Sequence, residues 1–290
     1  MIVDREAGTS FELTSAEARR YERDGFLVRK AAFDTAEIAR LRQAAERAAN
    51  LAQALSEGGS SYILDGKRFV DSGYVTIQFE HAASSEAIRV IEPVHQLDSR
   101  LEALIDDPRL VEPMRCLVGK ENIALWTDKL NLKRPREGSG FGWHQDSPYW
   151  LHDCAHVDQL PNVLLAFDDA TDANGCLRVI RGSHTRGCLP GRRDGTQLGG
   201  FYTDPGHFDE SQQVSLEVPA GSLVFFSPHM VHGSLPNNSD QPRRAIILTY
   251  QPSGYPMLKS GEMRNVCQGL NQTKPEPTQP TSRHLSNKLS

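Results

Sequence analysis

His144-Gln145-Asp146 is followed 88 residues later by His232 and 11 residues after that by Arg243. Two histidines and one carboxylate are the ligand set that holds Fe(II) on one face and leaves the opposite positions open. A guanidinium just beyond the second histidine suits a dicarboxylate, whose other end can fill two of those open positions. The combination points to oxidation by O2 at Fe(II), with 2-oxoglutarate as the dicarboxylate cosubstrate.

A lone His-x-Asp is weak, and the chain has three: His144/Asp146, His156/Asp158 and His207/Asp209. Context favours the first. Residues two apart on a strand point to the same face, so His144 and Asp146 can both aim into a barrel mouth. Phe141-Gly142-Trp143 before them and Ser147-Pro148-Tyr149-Trp150 after them suit the end of a strand in a half-buried pocket. His156/Asp158 sits in a polar stretch that ends at Pro161, and His207/Asp209 lies inside a long loop. The distal histidine is His232, where a short strand begins with Val231-His232-Gly233-Ser234. His229 sits at the turn after Pro228 and reads as a surface or supporting histidine.

Arg243 and Arg244 precede the apolar run Ala245 to Tyr250. An arginine at the mouth of a buried strand needs an anion, and Ser234, in phase with His232, can donate to the same carboxylate. Arg244 reads as a surface salt bridge. Lys129 and Asn131 alternate in phase on one face of a strand. A pocket lining and a solvent face opposite core Leu130 and Leu132 fit that pattern equally well. Tyr149, Trp150 and Phe167 are candidates for a pocket wall, although Tyr149 and Trp150 serve equally well as core aromatics.

These residues need a scaffold. The first third reads helical. Thr14-Ser15-Ala16-Glu17 is a capping-box pattern opening a helix that stops near Gly25, and Phe26-Leu27-Val28 is a brief strand-like run. Asp34 and Glu37 repeat the cap-like spacing. The stripe Ile38, Leu41, Ala45, Ala48, Leu51 and Leu55 continues that helix to Gly58-Gly59. A third helical region is expected around residues 85 to 105, kinked at Pro93, and a fourth runs from Asp107-Pro108 to Gly119. From residue 122 the period changes to short β-rich runs: Ile123 to Leu132, Asn162 to Phe167, Cys176 to Ile180, Val214 to Val218, Ser222 to Ser227 and Ala245 to Tyr250. Many short strands between Gly, Pro and Asn turns imply a mainly β jelly roll with flanking helices. A single domain over residues 1–270 is expected, with a disordered Pro/Gln/Ser/Thr tail over 271–290. Residues 181 to 213, polar and rich in Gly and Arg, are long for a connection and are expected to act as a lid.

Composition narrows the class. The chain has 290 residues, 38% hydrophobic and 24% charged, enough for a sizeable core. A net charge of −5 without a Lys/Arg-rich run argues against nucleic acid. No apolar run reaches the roughly 18 residues needed to cross a bilayer, and the start lacks the pattern of a signal peptide. Five cysteines without a C-x-x-C pair are expected to be reduced thiols in the cytoplasm. Composition says nothing of the oligomeric state.

The motifs together resemble the phytanoyl-CoA dioxygenase family, which includes ectoine hydroxylase. The resemblance covers about residues 122 to 252. It rests on Leu130-Asn131-Leu132-Lys133 before Trp143-His144-Gln145-Asp146, and on Asn174-Gly175-Cys176-Leu177 leading to Gly182-Ser183-His184. Gly221-Ser222-Leu223-Val224-Phe225-Phe226 and His232-Gly233-Ser234 with Arg243 complete it. Tyr21 to Val28 is a weaker echo. The resemblance implies a double-stranded β-helix of the cupin-like kind. It implies Fe(II) on His144, Asp146 and His232, the distal carboxylate of 2-oxoglutarate on Arg243 and Ser234, and Asn131 near the 1-carboxylate. It also implies that Lys129 contacts substrate. Asp146 stands where halogenases of the wider superfamily have Ala or Gly, which favours hydroxylation of a small molecule. Arg181 replaces the proline usual before Gly182-Ser183-His184, and His184 is expected to be structural. Two alternatives stay open: the same centre ending in cyclisation, epimerisation or desaturation, and a non-catalytic β-sandwich that binds a ligand. Zinc hydrolysis leaves the arginine–serine pair without a role.

Overall fold

The structure, a computed structural model, describes residues 11–82 and 84–267. The tail expected from residue 271 lies outside the described residues. The chain opens with α1 (Ser15–Asp24), where Thr14 and Glu17 close a capping box and Gly25 ends the helix at φ 81°. Then come β1 (Phe26–Arg29) and α2 (Thr35–Glu57), the latter capped reciprocally by Asp34 and Glu37. The buried stripe of α2 runs Ile38, Leu41, Ala45, Ala48, Ala52. Leu51 and Leu55, expected in that stripe, are exposed: alternating steps of three and four place Ala52 and not Leu51 on the buried line, and Leu55 lies in the last turn of the helix.

The next stretch departs from the helical expectation. Residues 60 to 92 form β2 (Ser60–Leu64), β3 (Lys67–Ser72), β4 (Val75–Phe79) and β5 (Ile88–Glu92). The helix expected over 85 to 105 shrinks to short helical turns and α3 (Ser99–Glu102), before α4 (Pro108–Val118). The remaining elements are β6 (Ile123–Lys133), β7 (Phe141–His144), α5 (Ser147–Trp150), β8 (Asn162–Ala166) and β9 (Leu177–Ile180), followed by β10 (Gln213–Leu216), β11 (Leu223–Phe226), β12 (His232–Ser234) and β13 (Arg243–Pro252).

Two antiparallel sheets face each other. The large one has the order β1-β11-β8-β13-β6-β5-β4-β3-β2, and the small one β10-β9-β12-β7. This is the jelly roll that the strand pattern implied. Alternate residues of the central strands serve two cores. Val163, Leu165, Phe225, Ile246 and Leu248 pack toward α2 and α4. Leu164, Ala166, Val224, Phe226 and Ala245 pack between the sheets against Leu177, Val179 and Met230. Burial on both faces is why these strands read as unbroken apolar runs.

Gly221 leads into β11 at φ +82°, where a Cβ would lie 2.3 Å from the backbone oxygen of Phe33. An L-residue is strained at that φ, and a backbone atom cannot yield. Gly221→Ala is expected to lower stability by about 2 kcal/mol or more, read as a lower midpoint in chemical denaturation with an unchanged slope.

Candidate metal centre

β7 and β12 are neighbours in the small sheet, and their register sets His232 directly opposite His144. The two imidazole centroids are 4.1 Å apart. A Cβ on Gly233 would come within 2.8 Å of Phe141 O, so only glycine lets β12 approach β7 this closely. Asp146 is aimed differently from the sequence expectation: β7 ends at His144, and the carboxylate sits in the turn entering α5. The backbone N–H groups of Asp146 and Ser147 both donate to Pro228 O, at 3.1 and 3.0 Å, which clamps that turn to the segment entering β12. One ligand atom each from His144, Asp146 and His232 then lies within 4.8 Å of the others, and no other such group occurs among the described residues.

Protonation suits a divalent metal. His144 donates Nδ1–H to Gly142 O at 2.8 Å, and His232 donates Nδ1–H to Met230 O at 2.9 Å. A carbonyl only accepts, so each ring keeps its Nε2 lone pair for the metal. Burial, with help from His232, drives the His144 imidazole down to about 3, so it stays neutral at pH 7. Burial alone would raise the Asp146 carboxyl. Lys129, the two histidines and Asn162 outweigh it and hold the group below the usual range. The Lys129 ammonium is 3.8 Å from Asp146 Oδ1, so Lys129 faces the cavity and not solvent.

A residue the sequence did not single out orients the carboxylate. Asn162, the first residue of β8, donates from Nδ2 to Asp146 Oδ2 at 2.9 Å, while its Oδ1 accepts from Thr249 Oγ1 at 2.5 Å. The signal available was an amide opening an otherwise apolar run. Partners of this kind are worth about 10- to 100-fold in metal affinity. Asn162→Leu is expected to lose about that much Fe(II) affinity, with the fold retained, in an anaerobic competition titration against a chelator.

The arginine lies deeper. Arg243 is 4% exposed, and its Nη2 donates to Gly175 O at 2.8 Å. Its Nε is buried with no hydrogen-bond partner among the described residues, and burial pushes the guanidinium down to about 10. Lys133 stands opposite it in the β13–β6 register, is 1% exposed and donates to Leu235 O. Burial, then the charges of Arg243 and Arg89, push the Lys133 amine down to about 6. Two buried basic groups side by side, neither paired with a carboxylate of the described residues, fit an anion supplied from outside. Lys133 was also missed, although it is in phase with Lys129 and Asn131.

His144, Asp146, His232, Ser234, Arg243 and Asn131 line one cavity of about 540 Å³. Tyr149 and Trp150 line it too, with Tyr149 stacked on Phe201 at 4.4 Å. Leu198 and Tyr202 bring the 181 to 213 segment over the same space. Phe167 does not belong there: it is fully buried in the helix-side core. Of the remaining candidates, Arg244 forms a two-point ion pair with Asp168 and also reaches Glu46. His229 bonds Ser147 and Asp158, and His184 bonds Glu22 O. His156 packs between Trp126 and Tyr255.

The sequence profile of the family described as phytanoyl-CoA dioxygenase (PhyH) matches residues 21–245. The chain is similar to L-proline trans-4-hydroxylase of Streptomyces griseoviridis, with 30% identity over 183 residues that cover 57% of this chain and 68% of that protein. It is also similar to the ectoine dioxygenase of Bordetella parapertussis, with 28% identity over 273 residues, 82% of this chain and 75% of that one. Among solved structures, EctD from S. alaskensis with 2-oxoglutarate and 5-hydroxyectoine superposes with a TM-score of 0.63 at 22% identity, covering 89% of this chain and 83% of that chain. The α-ketoglutarate-dependent carbocyclase SnoK from nogalamycin biosynthesis gives 0.63 at 18% identity, covering 90% and 100%.

Proposed function

Because the chain belongs to the phytanoyl-CoA dioxygenase family of Fe(II)- and 2-oxoglutarate-dependent oxygenases, we propose that it hydroxylates an unactivated C–H bond of a small organic substrate at the His144–Asp146–His232 centre. The observation that carries this reading is the pairing of a three-donor cluster with a buried arginine that has no carboxylate partner among the described residues, both lining one cavity. The chemistry of the donor set, two imidazoles and one carboxylate, suits Fe(II).

Bound together, iron, 2-oxoglutarate and O2 supply an oxidant able to take hydrogen from an aliphatic carbon, while the cosubstrate leaves as succinate and CO2. The protein's own part is placement. Arg243 and Ser234 hold the distal carboxylate, and Asn131 lies along the same wall. Asn162 and the Pro228 clamp fix the Asp146 carboxylate before any ligand arrives. Lys129 neutralises that carboxylate from the substrate side. Tyr149, Trp150 and the 181 to 213 segment close the cavity, which keeps water from the reacting carbon.

Iron content after anaerobic reconstitution and succinate release across a panel of small organic acids and amino acids test the assignment. A substrate should raise succinate release and gain one oxygen atom. A protein that binds no iron and forms no succinate, even slowly without substrate, would refute it. The second reading keeps the centre and changes the fate of the substrate radical; an epimerase and a carbocyclase share the fold at similar superposition. A product that keeps its mass or loses two hydrogens would select it.

A further inference from the structure

The cavity wall holds more cationic charge than its carboxylates balance, although the whole chain is acidic. Lys129 is matched by Asp146 and Glu92, and Arg243 faces the cosubstrate. Fe(II) and a 2-oxoglutarate dianion cancel each other, so in the count the second carboxylate of the Asp146–Glu92 pair is set against Arg243. Lys259 donates to Thr76, with Asp153 on the same lining to set against it. Lys67 and Arg89 remain.

The Lys67 Nζ donates to the Tyr202 hydroxyl at 2.6 Å and lies 4.9 Å from that ring's centroid, with no ion pair among the described residues. Arg89 is 5% exposed; it bonds His81 at 2.5 Å and Gly140 O at 2.7 Å, and its Nε is buried without a partner among the described residues. The acid acting on Arg89, Glu80, lies behind the wall and is bonded to Ser139. Even if Glu80 balances Arg89 fully, Lys67 stays uncompensated. His81, between the two cations, supplies no negative charge; burial and both cations push its imidazole down to about 4. The backbone of Tyr202 forms an antiparallel bridge with His144, so this cationic corner adjoins the metal ligands.

We propose that the substrate is an organic anion with a flat apolar body, its acid group held by Lys67, Arg89 and the Tyr202 hydroxyl. This inference rests on the oxygenase reading above. The body is indicated by the aromatic walls: Tyr62 stacks on Phe69 at 5.4 Å, and Tyr149 and Trp150 flank the metal side. A cationic corner next to aromatic faces attracts an acid and repels an ammonium. It also gives the acid a partner on β3 and another on the 181 to 213 segment.

The test uses Fe(II)-loaded protein under anaerobic conditions, saturated with 2-oxoglutarate, and three probes of one shape: naphthoate, naphthamide and naphthylmethylammonium. The visible charge-transfer band of the iron–cosubstrate complex is recorded in the same cell before calorimetric titration. Naphthoate is expected to bind about tenfold more tightly than the amide and the ammonium more weakly still. Lys67→Gln should bring acid and amide to within about threefold, and Lys67→Arg should restore the preference. If the band forms but the amide or ammonium binds as well as the acid, or the acid does not bind at millimolar concentration, or Lys67→Gln keeps the full preference, the anion assignment fails while the oxygenase reading stands. If the band never forms, both fall.

Discussion

Arg243→Met leaves the empty protein as stable as the parent, or more so, and cuts its affinity for 2-oxoglutarate by about 30-fold or more. The two halves of this expectation have one cause. In the folded chain the guanidinium is 4% exposed and has no carboxylate partner among the described residues. An uncompensated buried charge is a cost to folding, and the drop of its pKa to about 10 is the same cost seen from the proton's side. Methionine fills similar space without that cost and gives up one charge-assisted bond to Gly175 O, worth about 1.5 to 3 kcal/mol, which relief of the buried charge offsets. With the dicarboxylate present the balance reverses. Truncating one partner of a buried, hydrogen-bonded charge pair costs at least about 2 kcal/mol, which is about 30-fold in affinity. Melting curves with and without 2-oxoglutarate check both halves, because a ligand that binds only the folded state stabilises it in proportion to the logarithm of one plus the ratio of its concentration to its dissociation constant. A variant that melts far lower when empty, yet keeps the full 2-oxoglutarate shift, would make Arg243 a structural residue.

Asp146→Asn is expected to abolish turnover. The amide keeps the shape of the turn and the two backbone bonds to Pro228 O, but a neutral oxygen is a poor ligand for a hard divalent cation. Partners that only orient a ligand are worth about 10- to 100-fold, so loss of the charged ligand itself should exceed about 100-fold in Fe(II) affinity. The ordering is the sharper test: Asp146→Asn must lose more iron than Asn162→Leu, and both must release less succinate than the parent. Iron content after anaerobic gel filtration and succinate by chromatography provide the readouts, with circular dichroism to confirm folding. Full iron occupancy and turnover in Asp146→Asn would place the metal elsewhere.

Much of the scaffold is legible locally. The capping boxes at Thr14/Glu17 and Asp34/Glu37 are short-range and form as the spacing implies. β6, β8, β11 and β13 are buried on both faces, so their apolar runs are plain in the chain. β2 and β3 were missed for the opposite reason. Their residues are exposed or half-exposed except Val70, and alternation fades where neither face is fully buried; β4, buried except at Gln78, is only five residues long and was missed with them. That omission hid one wall of the cavity, with Lys67 and Thr76 on it. Phe167 misled because an aromatic beside an apolar run looks the same whether it turns toward the cavity or toward α2.

By itself the sequence determined which atoms are available: two imidazoles, one carboxylate and one guanidinium, in an order that suits iron and a dicarboxylate. Only the tertiary structure decided that they meet. His144 and His232 face each other through the β7–β12 register, Asp146 reaches them through a turn clamped at Pro228, and Lys133 joins Arg243 across β6 and β13. The donor chemistry belongs to each residue wherever it lies, but the distance between residues 88 positions apart belongs to the hydrogen-bond register and packing of the whole chain.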